Sequence, residues 1–94
     1  MSVFETEDAS SNLATEIYRL TKVENKKAYF TVLCKTLENK LTPLKIMSAL
    51  ATLRDFGIVE SEYGETEPNI VSRLYRISDE SIETIKSVYE EYCK

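Results

Sequence analysis

The side chains able to do chemistry in this chain are cations, carboxylates and hydroxyls: 12 lysines and arginines, 16 aspartates and glutamates, and no histidine. Without histidine, no side chain titrates near neutrality in its ordinary state to serve as a general base. Two glycines in 94 residues leave no glycine-rich phosphate loop. The acids of "ESEYGETE" read as a solvated turn rather than a catalytic pair, so no enzyme is expected. Cys34 and Cys93 are far apart and have no histidine to complete a metal set. Cys34 falls among apolar neighbours as a small core residue, and Cys93 is expected to be a free thiol. What remains is capture of an anion. Lys22, Lys26, Lys27, Lys35, Lys40, Lys45 and Arg54 outnumber Glu24, Glu38 and Asp55 within 21–57, whereas 1–20, 58–78 and 79–94 are each net acidic. The formal charge of −4 therefore conceals a basic middle, and distribution matters more than the sum for binding.

The elements around that middle can be read from spacing. "MSVFETEDASS" has little periodicity and reads as a flexible arm, 1–10, ending in a cap at Ser10 or Ser11. Leu13, Ile17 and Leu20, with Tyr18, then mark a helix to about Lys22. After a short loop at "KVENKK", the residues Ala28, Tyr29, Phe30, Leu33, Cys34 and Leu37 form the wide apolar face of a second helix. "ENK" makes a turn, and Thr42 followed by Pro43 is a helix start, because the hydroxyl can accept an amide bond and proline suits the first helical position. Ile46, Leu50 and Leu53, with Ala49 and Phe56 adjoining, give helix 43–56 its apolar stripe, and Gly57 ends it.

The segments 58–63 and 70–77 are rich in β-branched and aromatic residues, and "GETEPN" joins them as a turn, so they read as an antiparallel hairpin. Ser78 is a candidate cap for a last helix, 79–93, with Asp79, Glu80 and Glu83 at its positive end. Ile82, Ile85, Tyr89 and Tyr92, with Val88, form a narrow seam that fits either a partner chain or the chain's own core, the partner being favoured. A chain this short commonly gains burial from a second copy. The acidic N-terminus does not suit a secretory signal, and no apolar run could cross a bilayer, so a cytoplasmic protein without membrane contact is expected.

The order helix, helix, turn, helix, hairpin, helix resembles the winged helix-turn-helix domain from about Leu13 to Tyr92. The likeness is best in "TPLKIMSALATLRDFGIVE", where Pro43, Ile46, Leu50, Leu53 and "GIV" stand at the core positions of a recognition helix and the start of a wing. "RLYRIS" resembles the return strand, and the acidic last helix resembles the dimerisation helix of small PadR-like or ArsR-like prokaryotic regulators. The resemblance implies an α+β, mostly α fold: three helices, a two-stranded wing and a C-terminal helix, forming one domain over 11–94. It implies a homodimer that reads double-stranded DNA without metal or cofactor, with helix 43–56 in the major groove. Thr42, Leu44, Lys45, Met47, Ser48 and Thr52 would then face the groove or its phosphates. Lys40, Lys26, Lys27, Lys35 and Arg73 would add phosphate contacts, and Ile82, Ile85, Val88, Tyr89 and Tyr92 would form the dimer seam. Leu44 and Met47 fit the core equally well if the helix is slightly rotated. Two departures, a helix poor in groups for bidentate base contacts and an acidic wing tip with Glu62, Glu65 and Glu67, point to the alternative of a protein-interaction module in a transcription-related assembly.

Overall fold

The computed structural model describes the backbone of residues 2–67 and 70–92 and the side chains of 9–64 and 71–91. Helix α1 (Ser2–Tyr18) continues into a π-helical turn, Arg19–Val23. A two-residue strand β1 (Ala28–Tyr29) leads into α2 (Phe30–Thr36), followed by α3 (Pro43–Asp55). Strands β2 (Val59–Glu67) and β3 (Ile70–Ile77) precede the last helix, α4 (Ile82–Tyr92). No helix of the described residues is long and apolar enough to cross a membrane.

Five features differ from expectation. Residues 64–67, expected within the turn, continue strand β2 as far as Glu67. Residues 2–10, expected as an arm, are helical. Ser10 and Ser11 therefore sit inside a helix rather than at its start, and the Ser11 carbonyl accepts a bond from the Thr15 hydroxyl at 2.8 Å. Ala28 and Tyr29 belong to a strand, not to the second helix; they pair with Tyr75 and Leu74, so the sheet has three strands in the order β1-β3-β2. Periodicity could not separate them from Phe30 because their partners are far away in sequence. Ser78 does not cap the last helix: its hydroxyl donates to the Gly57 carbonyl at 2.8 Å, and α4 begins at Ile82. Phe56, expected beside the apolar stripe of α3, is 76% exposed.

The core has contributions from every element. Leu13 and Ile17 of α1, Leu33 of α2 and Ile46 of α3 are fully enclosed, joined by Leu20, Ala28, Leu37, Leu50, Leu53, Val59, Tyr75, Ile77 and Ile85. Each such aliphatic side chain contributes roughly 1.5–3 kcal/mol by leaving water. Cys34 packs at the edge of this core, half-buried, and burial pushes its thiol pKa up. At the α1–α2 junction Arg19 grips Glu16 through two bonds of 2.6 and 3.0 Å and also pairs with Glu24. Burial pushes the Glu16 carboxyl up, but bonds from Arg19 and Thr36, with the charges of Arg19 and Lys40, hold it below its usual value.

The wing register pairs Val59 with Ile77, Ser61 with Tyr75 and Tyr63 with Arg73. Residues directly opposite share a face, so Val59, Tyr75 and Ile77 reach the core while Tyr63 and Arg73 extend the same face beyond it. Gly64 lies under the Tyr29 ring, which a Cβ there would meet at 3.1 Å.

Candidate nucleic-acid interface

Both ends of α3 are fixed by local chemistry. The Thr42 hydroxyl accepts the Lys45 amide at 3.2 Å, and Pro43 occupies the first turn. At the other end Phe56 is the last residue with helical backbone, and Gly57 has φ +74°. Its amide bonds the Arg54 carbonyl at 3.0 Å and the next amide, from Ile58, bonds the Leu53 carbonyl at 2.9 Å. This pair of bonds is the Schellman arrangement, which satisfies carbonyls the helix would otherwise leave open. The Ser78 amide and hydroxyl then tie Ile58 and Gly57 to the end of β3. The helix thus turns directly into the wing, and its orientation is set from both sides.

With about 100° between successive residues, Ile46, Ala49, Leu50 and Leu53 point inward and are buried. Leu44, Ser48, Ala51 and Asp55 run along the opposite crest, with Lys45 and Thr52 on one shoulder and Met47 and Arg54 on the other; all eight are exposed. Leu44 is 75% and Met47 56% exposed, which excludes the rotated-helix alternative. Asp55 is the one acid on this face, at its C-terminal end.

The structure gathers the expected residues only in part. Thr42, Leu44, Lys45, Met47, Ser48 and Thr52 share one surface at and along α3, with Lys40 exposed in the turn before it and Lys35 exposed in the last turn of α2. Lys26 and Lys27 lie elsewhere. They line a cleft of about 430 Å³ with Thr21, Glu60, Glu62 and Arg76, to which α3 contributes nothing. Lys26 there pairs with Glu24 at 3.1 Å, and Arg76 with Glu60 at 2.7 Å. Their placement follows from β1, which pulls the preceding loop toward the sheet.

Arg73 is partly exposed on the wing, yet not free to wander. It donates to the Tyr63 hydroxyl at 2.7 Å, and its guanidinium lies 5.1 Å from the centre of that ring. The bond to Tyr63 raises the Arg73 pKa further, so the group is a permanent cation. Burial pushes the Tyr75 phenol up, while the positive charges of Arg73 and Arg54 act against it. Arg54 counts in the basic middle of the sequence but was not assigned to the interface, although its position seven residues after Met47 places both on one shoulder of α3. Arg54 and Arg73 together bring positive charge to the junction between α3 and the wing. The side chains of Glu65 and Glu67, expected at an acidic tip, lie outside the described residues; Glu62 is exposed.

The expected seam on α4 is altered. Ile85 is buried in the chain's own core, and the Tyr89 ring packs on Tyr18 of α1 with centroids 5.3 Å apart. Ile82 also packs against that core in part. Val88 is half-buried and takes no part in the core cluster. The Tyr92 side chain and Cys93 lie outside the described residues.

No family model matches the sequence, and no curated protein matches it. Solved structures do resemble the fold. A PadR family transcription regulator from hypervirulent Clostridium difficile superposes with a TM-score of 0.66 at 17% identity, covering 89% of this chain and 86% of that one. The PadR-like transcriptional regulator from Bacillus cereus gives 0.67 at 12% identity, over 99% and 87% of the two chains. The circadian clock associated protein Pex from Anabaena gives 0.71 at 19% identity, over 90% and 76%.

Proposed function

We propose that this chain, whose fold is the winged helix of PadR-type transcription regulators, is a DNA-binding regulator that places α3 in the major groove and acts as a homodimer. Those similar structures are of transcription regulators. The observation that carries the reading is the outer face of α3: exposed along its length and flanked by Lys40, Lys45 and Arg54. Lysines there hold phosphate and release its counterions, a term independent of sequence. The positive start of the helix adds to it, and no acid stands in its first turn. Arg73, steadied by Tyr63, contributes a second phosphate contact from the wing. A second copy, meeting the first through Val88 and the end of α4, sets another α3 about one turn of DNA away.

Lys40→Glu combined with Lys45→Glu reverses two of these charges without touching the core. The expected outcome is loss of duplex retention at low salt with an unchanged circular dichroism spectrum; retention equal to the parent would refute the placement of the interface. A second reading, a protein-interaction module, is favoured by one observation, the exposed Leu44 and Met47. Under it the parent retains no duplex even at low salt, so the double variant has no duplex binding to lose.

A further inference from the structure

The outer face of α3 has an unusual composition for a surface that would read bases. Over its first three turns it offers Leu44, Met47 and Ala51, all exposed, and the methyl of Thr52. The Thr52 hydroxyl is already engaged, donating to the Ser48 carbonyl at 3.1 Å. Ser48 is then the one hydroxyl left on the crest for a base edge. The bidentate pairings that read guanine and adenine need arginine, lysine, asparagine or glutamine. Arg54 lies at the far, C-terminal end, beside the wing, and Lys45 lies on a shoulder.

Within the major groove the one apolar group on any base edge is the C5 methyl of thymine. Charge complementarity fixes the occupant of this apolar strip: Lys40 and Lys45 stand at its start and Arg54 at its end, the arrangement that suits a phosphate-walled groove rather than an acid-free protein surface. We infer that Leu44 and Met47 read thymine methyls, so that the preferred half-site is thymine-rich on the strand facing the start of α3. This rests on the DNA-binding reading above and deepens it. Each methyl covered removes about one methylene-equivalent of apolar surface from water, which corresponds to roughly a fourfold gain in affinity.

The test uses a duplex that the full chain selects from a random-sequence pool, compared with the same duplex carrying deoxyuridine for thymidine, which deletes the methyl and leaves base pairing intact. The deoxyuridine duplex should bind roughly fifteenfold more weakly if two methyls are covered in a half-site. Leu44→Ala combined with Met47→Ala, both exposed and harmless to the core, should bind the two duplexes equally. Equal binding of both duplexes by the parent would overturn the inference while leaving DNA binding intact. A difference that persists in the double variant would overturn the assignment to these two residues. Failure of the parent to select or retain any duplex at low salt would overturn both this inference and the DNA reading, and would give the strip to a protein partner.

Discussion

Helices α3 and α4 carry apolar residues at similar spacing and use them in opposite ways. In α3 the set Ile46, Ala49, Leu50 and Leu53 already fills the inward side, so Leu44 and Met47 are surplus and stay in water. In α4 the chain uses the stripe from Ile82 to Tyr89 on its own core, where Ile85 is buried and Tyr89 meets Tyr18 of α1. A stripe is therefore informative about partners only after the residues needed to attach the helix to its own domain have been subtracted. By that subtraction, among the described side chains, α3 has Leu44 and Met47 exposed whereas α4 has the half-buried Val88.

Adjacent positions on α3 give the strongest way to break this contrast. Ile46→Ala removes a fully enclosed side chain and should destabilise the fold by about 2–5 kcal/mol in denaturant unfolding. Met47→Ala, one residue on, should stay within about 0.5 kcal/mol. Similar losses for the two would mean that the helix is rotated from the orientation described. On α4 the effect is smaller but discriminating. Ile85→Ala should cost about 2 kcal/mol as an intrachain core truncation. Val88→Lys should leave monomer stability nearly unchanged and instead lower the mass in solution, measured by light scattering. A parental mass for Val88→Lys would remove α4 from the dimer interface.

Much of α3 was legible in the sequence because its signals are local. Thr42 and Pro43 open it, Gly57 closes it, and the buried positions recur at helical spacing within 13 residues. The wing strands were legible from their β-branched and aromatic content. What escaped depends on distant partners. Ala28 and Tyr29 are strand because Leu74 and Tyr75 lie beside them, and their apolar character alone suits a helix as well. Ser78 has the chemistry of a cap, yet the carbonyl of Gly57, 21 residues away, claims its hydroxyl. Lys26 and Lys27 are charged residues whose facing is set by that same β1 pairing, so they line a cleft apart from the α3 residues with which the sequence grouped them. Helix α1 extends back to Ser2 through mostly polar residues that carry little periodicity to read. Arg54, in contrast, was within reach, since helical spacing alone puts it on the outer face.

The most direct measurement is duplex DNA binding by the parent and by Lys45→Ala across a salt series from roughly 50 to 200 mM. The parent's affinity is expected to fall steeply with salt, and the variant's logarithmic slope to be shallower by about one, the signature of a single lost phosphate contact. Identical slopes for the two proteins, or a parent whose weak binding ignores salt, would contradict the assignment of α3 as the DNA-facing helix.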